Sequence, residues 1–431
     1  MKNIKIIGGG LAGCECAYQL LKRGYSVDLY EMRPSVTTPA HKTSKLCELV
    51  CSNSLKSTDE ATSQGALKKE AELLDCFVLR VAKTSAVPAG GALAVDRELF
   101  SEKVEQELLS MPNLNLIREE CDEIDDWTVI AAGPLASQKL TDKIAGLSGE
   151  EHLHFYDAVA PIIKKDSIDM NRAFFAGRYG KGGEDYLNLP LEKDEYYAFV
   201  KELVSAEKVL LRDFEKGDVF EACMPVEVMA ARGEDTLRFG PLRPVGLTDP
   251  ATGKRPYAVV QLRKEDAAGN LYNLVGFQTN LKFGEQKRVF GMIPALKEAE
   301  FVRYGVMHRN TFINAPALLN DDFSLKKNGT VFFAGQISGV EGYMESIVGG
   351  LMCAINIDRK ARGFEPILPP DTTLTGSLMR YVSTPNPDFQ PMHVSFALLP
   401  PIEGIRDKKK RKEEYGKRAV SDMERFVSEK L

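Results

Sequence analysis

The chain has 431 residues, 44% hydrophobic and 27% charged, with a formal net charge of −5. That length asks for more than one core, and the acidic balance excludes nucleic-acid binding driven by the overall field, so such a partner must be held by local basic patches. No stretch approaches the roughly 18–20 apolar residues that span a bilayer, and the opening MKNIKIIGGG is too short for a secretory h-region. A cytoplasmic protein with no membrane partner is expected, its eight cysteines present as thiols. None lies in a C-x-x-C pair and no zinc spacing is completed, so no metal site is expected.

The first element is a short buried strand, IKII, followed by GGGLAG, which places Gly8, Gly10 and Gly13 in a G-x-G-x-x-G pattern. The next segment has helical spacing at Leu11, Cys14, Ala17 and Leu21, and Gly24 ends it. YSVDLYE reads as a second strand closed by Glu31, eighteen residues past Gly13. Strand, glycine loop, helix, strand and acid in this order predict a dinucleotide site. Backbone at Gly8, Gly9, Gly10, Leu11, Ala12 and Gly13 approaches the pyrophosphate at the helix N-terminus, and Glu31 takes the adenosine ribose. An acid at that position disfavours a 2′-phosphate. Cys14 and Cys16 on the helix read as core residues.

ELVCSNSLKS, residues 48–57, sets Cys51 between an apolar run and small polar residues. From residue types alone it reads equally as a functional thiol in a polar loop or as a structural one. Val87 to Ala92 reads as a loop, and a helix capped near Asp96 follows, with Leu99, Phe100, Val104 and Leu108 on its apolar positions. DWTVIAAGP is a short strand ending at Gly133, where the chain can turn close to a dinucleotide.

Residues from about 150 to 310 read as an insert, with strands expected in RAFFAGRYG, YAVVQLR and NLVGFQTNL and turns at GKGGED and DPATGKRP. FEACMPVEVMA within it carries Cys223, for which a buried thiol is the default reading. Beyond the insert, VFFAG, QISGVEG and a helix bearing Tyr343, Ile347, Gly350, Leu351 and Ala354 form a second strand-loop-helix unit. A late unit of this kind, with Gly335, Gln336 and Gly342 in its loop, favours FAD over NAD: its helix N-terminus can face the pyrimidine edge of the flavin. Tyr343 reads equally as a ring-stacking residue or as core. RDKKKRKEEYGKR, residues 406–418, is a basic run on a helix, with EQKRVF and RYGVMHRN as further basic segments.

The expected fold class is therefore α/β: a Rossmann-like FAD-binding domain with an inserted mixed α/β domain. Its parts are expected at residues 1–150, 151–309 and 310–431.

IIGGGLAGCECA, LVCSNSLKS, FEACMPVE, LVGFQTNLKFGEQKRVF, MHRNTFINAP and FFAGQISGVEGYMES occur in this order over nearly the whole chain. Together they closely resemble the TrmFO family of folate- and FAD-dependent tRNA (uracil-5-)-methyltransferases, a branch of the GidA-like flavoproteins. The cysteine motifs and VEGYMES are specific; the glycine loop is not. One departure is Ala222, where glycine is expected before the cysteine.

The resemblance implies reductive methylation of C5 of the T-loop uridine, position 54 of tRNA. The one-carbon unit comes from 5,10-methylenetetrahydrofolate, reduced FAD carries it, and NAD(P)H recharges the flavin. It also implies two functional thiols. C5 of uracil is a poor nucleophile until a thiolate adds to C6, and a base must then remove the C5 proton. Cys223 is assigned as the nucleophile and Cys51 as the proton acceptor, with the reverse assignment open. The insert and the basic segments would hold T-arm phosphates. Competing readings are the same chemistry on ribosomal RNA, a GidA-type wobble-uridine enzyme, a flavin-disulfide reductase using Cys47 and Cys51, and a non-catalytic FAD-containing RNA-binding module.

Overall fold

A computed structural model describes residues 2–38, 40–148, 153–180, 183–209, 224–387 and 389–431. IKII forms the strand Asn3–Ile7, with Ile4 and Ile6 completely buried. It pairs in parallel with Ser26–Tyr30 on one side and Thr128–Ile130 on the other. Leu114–Ile117 extends the sheet beyond Ser26–Tyr30, and Asn328–Phe333 lies in parallel beside Thr128–Ile130. Ser324–Leu325 closes the far edge antiparallel, giving six strands. Sheet neighbours 128–130 and 328–333 are thus separated by nearly two hundred residues, which leave this sheet and return to it.

The excursion begins and ends on an antiparallel ribbon, Leu153–Ala158 against Met307–Phe312. It builds a second six-stranded sheet, antiparallel throughout, in the order Phe174–Phe175, Tyr186–Leu191, Ala258–Lys264, Leu271–Leu274, Ile162–Lys164 and Phe301–Arg303. Helices Lys193–Ser205 and Phe283–Phe290 supply Tyr196, Phe199, Leu203 and Phe290 to a core of its own, with Leu187, Val260, Leu262 and Phe277. The two largest apolar clusters among the described residues are separate, one beneath each six-stranded sheet. The molecule is a mixed α/β fold: a Rossmann-like parallel sheet carrying an inserted antiparallel-sheet unit.

Two expected strands are shorter than their apolar patterns. RAFFAGRYG keeps only Phe174–Phe175 in the ladder, because Tyr179 adopts φ 58° and Arg178 turns to Gln261 (2.9 Å) and the Val245 carbonyl (2.9 Å). NLVGFQTNL leaves its strand after Leu274, and Gly276 turns at φ 79° with Pro241 Cβ 2.5 Å from where a side chain would start. Conversely, the loop expected over Val87 to Ala92 is flanked by Ala86–Val87 and Ala92–Val95, and the polar stretch after Cys51 forms the strand Ser54–Ser57. These make a small three-stranded antiparallel sheet.

At the end of the chain, Lys408–Lys430 is a helix whose Asp407 cap accepts from Lys410 N (2.7 Å). It packs through Gly416, Ala419, Met423 and Phe426, and a Cβ at Gly416 would fall on the Glu60 carbonyl just before the helix Ser63–Leu73.

Candidate dinucleotide cleft and cysteine loop

The glycine loop does what its spacing requires. Gly8 stands at φ 112°, and a Cβ there would lie 2.5 Å from the Ala131 carbonyl oxygen. A Cβ on Gly13 would overlap the Gly8 carbonyl, so the helix Leu11–Lys22 seats against the loop only with glycine at that position. Gly10 caps the helix with no side-chain hydrogen bond, leaving its first amides to a ligand. One cleft is lined by Gly8, Gly9, Gly10, Glu31, Met32, Arg33, His41, Ala132 and Leu135, among others.

Glu31 is 5% exposed and accepts from Gly9 N (3.1 Å), Arg33 N (3.0 Å) and Arg33 Nε (2.8 Å). Burial alone would raise its pKa, and the Arg33 guanidinium more than offsets this, holding the carboxyl below its ordinary value. Arg33 spans onward to Glu48 (2.8 Å) and the Thr43 carbonyl (3.2 Å), and Glu48 in turn accepts from Lys42 N (2.7 Å) and Thr43 N (3.1 Å). Glu31 is thereby linked to the segment that leads into Cys51.

The late unit meets the glycine loop over Ala12. A Cβ on Gly335 would sit 2.7 Å from Ala12 Cβ, and one on Gly350 would strike the Ala12 carbonyl. Gly335, Gly339 and Gly342 all take positive φ, at 78°, 86° and 117°. Gln336 opens a short 3-10 turn and bonds Glu341, and Gly342 caps the helix Tyr343–Ala361. Its first turn already holds a carboxylate, Glu345, 1% exposed and accepting from Val394 N (3.1 Å), which tempers the positive end expected to face a flavin. Gly133, at φ 66°, turns the chain next to Ala132 of the cleft.

Two of the residues singled out by sequence come together, Cys51 and Tyr343. The Tyr343 hydroxyl accepts from Cys51 N (3.0 Å) and Ser52 N (3.0 Å). Burial first, and then the nearby Cys51 thiol, push that hydroxyl well above its usual pKa, so it stays protonated. Cys51 itself is half-buried. Cys223 lies outside the described residues. The chain resumes just after it with Val226 N bonded to the Gln278 carbonyl (2.7 Å) and Glu227 accepting from Thr279 Oγ1 (2.9 Å) and Asn280 N (2.8 Å).

Sequence reasoning missed the residues that fix the cysteine loop. Arg97, directly after the Asp96 cap, donates to the Leu49 carbonyl and pairs with Glu265, the residue just past the inserted strand Ala258–Lys264. Arg303 donates to the Val50 carbonyl (2.9 Å) and the Ala40 carbonyl (3.1 Å). Arg263, 7% exposed, donates from Nη2 to Ser52 Oγ (2.9 Å) and from Nε to Asn53 Oδ1 (3.0 Å). Burial pulls the Arg263 pKa down, with Glu265 opposing. A cleft of about 450 Å³ opens beside these side chains, lined by Lys42, Glu48, Arg97, Glu265 and Arg303, among others, within the size range of small-molecule sites.

Cys47 is fully buried, and burial and the neighbouring Cys14 thiol push its pKa well up. It is a core thiol, which removes the partner that a disulfide-reductase reading needs. Cys14, Cys16 and Cys353 are fully buried as well. The seven described cysteines form no disulfide. Among the described residues no group of three His, Cys, Asp or Glu side chains could hold a metal, and no helix is long and apolar enough to cross a membrane.

A parallel sheet whose glycine loop lines one cleft and packs at Ala12 against a late strand-loop-helix unit, and which carries an antiparallel-sheet insert, defines a Rossmann-like FAD-binding protein. The sterics fit that group: the loop admits backbone only, Gly10 leaves amides free for phosphate, and Glu31 stands in the cleft as a fixed acceptor.

Residues 3–365 match the family described as Glucose inhibited division protein A. A methylenetetrahydrofolate--tRNA-(uracil-5-)-methyltransferase TrmFO of Natranaerobius thermophilus is 55% identical over all of both chains. The protein of that name from Bacillus cytotoxicus is 53% identical over 99% of each chain. The one from Aquifex aeolicus is 52% identical over 99% of this chain and 97% of its own. The solved structure of Aquifex aeolicus GidA superposes with a TM-score of 0.71 at 15% identity, covering 99% of this chain and 73% of that one. This chain belongs to the glucose inhibited division protein A family and, within it, to the TrmFO group.

Proposed function

We propose that this protein methylates C5 of the T-loop uridine of tRNA in the cytoplasm, taking the one-carbon unit from 5,10-methylenetetrahydrofolate and reducing equivalents from NAD(P)H. The full-length likeness to relatives bearing that name supports the reaction. The observation in this structure that carries it is the presentation of Cys51 at the seam between the nucleotide sheet and the inserted sheet, with neighbouring backbone polar groups held by Tyr343, Arg97 and Arg303.

FAD, when bound, carries the one-carbon unit and the reducing equivalents. Gly8 to Gly13 and Glu31 would hold its adenosine diphosphate part, and Gly133, Gly335, Gln336, Gly342 and Tyr343 would hold the rest of it. Of the two thiols, Cys223 adds to C6 of the uracil and makes C5 nucleophilic. Cys51 takes the C5 proton once C5 has bonded the incoming carbon, and expulsion of the Cys223 thiolate restores the C5–C6 double bond. The target base must leave its stack to be reached.

The basic C-terminal turn supports an RNA partner. Lys408, Lys409, Lys410, Arg411 and Lys412 are all exposed, on the first turns of a helix. Cations there oppose the helix dipole, so this run does not serve helix stability. Phosphates of the T arm would offset it.

The test is transfer of labelled carbon from methylenetetrahydrofolate to an unmodified tRNA transcript, with NADPH and the purified protein. Label in that RNA, and none in a transcript whose T-loop uridine is cytidine, is the expected result. Absence of label while NADPH still reduces the flavin would overturn the assignment.

A further inference from the structure

We propose that Arg263 is a positioning residue for Cys51, through which the inserted sheet sets the direction of the thiol. The proposal rests on the function given above, in which Cys51 works on a base held between the two sheets. Arg263 lies on the central strand Ala258–Lys264 of the inserted sheet, 7% exposed. Its two donors take adjacent residues of the cysteine loop, Ser52 Oγ at 2.9 Å and Asn53 Oδ1 at 3.0 Å. Asn53 is fully buried and spends its amide on the carbonyls of Val95 (3.0 Å) and Lys264 (3.0 Å). One side chain of the loop is thus pinned to both the nucleotide half and the residue after Arg263. A guanidinium can fork across two acceptors while an ammonium acts as a point charge, so the role is one of geometry more than charge.

The same sheet also anchors the other cysteine segment. The strand Leu271–Leu274 pairs with the strand of Arg263, and the chain running on from it holds the residues after Cys223 at Gln278, Thr279 and Asn280. The sheet therefore contacts the Cys51 segment directly from its ladder, and the segment after Cys223 through the chain that turns off that ladder at Gly276. A reaction that uses two thiols on one base needs a fixed separation between them, and a strand holds its end of that separation better than the loop of Cys51 would alone.

The experiment compares Arg263→Gln, Arg263→Lys and Ser52→Ala with wild type in the FAD-loaded enzyme. Arg263→Gln is expected to lower kcat for methyl transfer by roughly 10²-fold, the scale of a small misplacement of a reacting group, with KM for tRNA and flavin content little changed. Arg263→Lys, which keeps the charge, is expected not to rescue it. Ser52→Ala should give a smaller loss that does not add to that of Arg263→Gln. Iodoacetamide labelling of Cys51, read by peptide mass spectrometry, should change in rate in the same order.

Full activity in Arg263→Lys, or a loss confined to KM, would overturn the proposal in favour of a charge that contacts RNA. An unchanged labelling rate would overturn it as well. If Arg263→Gln fails to fold, Ser52→Ala carries the test. The labelling arm reads the clamp even if wild type transfers no methyl group, so failure of the inference is distinguishable from failure of the function.

Discussion

The glycine loop, residues 8–13, and the cysteine loop, residues 49–53, belong to the same half of the molecule and are joined through Cys47, whose N–H donates to the Gly9 carbonyl at 2.9 Å. They are shaped by opposite means. The glycine loop is defined by what is missing: side chains at Gly8 and Gly13 would collide with the Ala131 and Gly8 carbonyls. The cysteine loop is defined by what arrives from afar, with Arg97, Arg263, Arg303 and Tyr343 each taking one or two of its polar groups. A loop shaped by sterics tolerates no added atom. A loop held by several donors should lose its order in steps as they are removed.

The largest effect is expected where the cysteine loop meets chemistry. Cys51→Ala should lower methyl transfer by on the order of 10²–10⁴-fold, the usual worth of a proton-transfer group, with flavin content unchanged. Cys47→Ala, four residues earlier in the fully buried position, should leave kcat near wild type and cost about 1 kcal/mol of stability. Steady-state rates and urea midpoints of the two variants separate the roles. Equal rates would show that the two thiols do not differ as their burial says.

Next comes the glycine loop itself. Gly13→Ala places a methyl on the Gly8 carbonyl, with backbone on both sides of the clash and no flexible group to yield. The expected cost is about 3 kcal/mol, and the purified protein should come without its yellow colour. Retention of stoichiometric flavin, measured by absorbance after denaturation, would mean that the loop can open where the sterics say it cannot.

These two cases also show why one site was legible in the sequence and the other was not. Glycine spacing is local: Gly8, Gly10, Gly13 and Glu31 lie within a single strand-helix-strand unit, and the same steric rule that places them can be read in one dimension. The Asp96 cap was equally local, and its side chain accepts from Glu98 N (3.1 Å) and Leu99 N (3.1 Å). Arg263 reaches Asn53 across 210 positions, and Tyr343 reaches Cys51 across 292. No period or motif announces such a meeting. Arg33, two residues after Glu31, is the missed contact that had a local signal, since an acid and an arginine at that spacing on the end of one strand can pair directly (2.8 Å). The short strands at Phe174–Phe175 and Leu271–Leu274 failed for a related reason: apolar composition fixed the burial of those segments, while distant partners, Gln261 for Arg178 and Pro241 for Gly276, decided where the ladders end.

The smallest expected effect lies at the far end of the cysteine segment. Ser57 closes the strand after the loop, and its carbonyl accepts from Lys68 Nζ (2.9 Å), as does the Gln64 carbonyl (3.3 Å). Lys68 is 3% exposed, and burial lowers its pKa to about 8, with Glu345 opposing. A lysine whose folded pKa lies below its unfolded value of 10.5 binds fewer protons in the native state between those two values, so stability should rise as pH climbs through that window. Below about 8 the cost of the buried ammonium is borne in full. Relative to Lys68→Met, wild type should therefore gain about 2 kcal/mol between roughly pH 7 and pH 10, measured as the difference in urea midpoints at each pH. Activity at neutral pH should change little, because the arginines and Tyr343 still hold the loop upstream of Ser57. Parallel pH profiles for the two proteins would remove the cost assigned to Lys68. A loss of activity in Lys68→Met as large as that in Arg263→Gln would extend the clamp one strand further than the hydrogen bonds around Cys51 indicate.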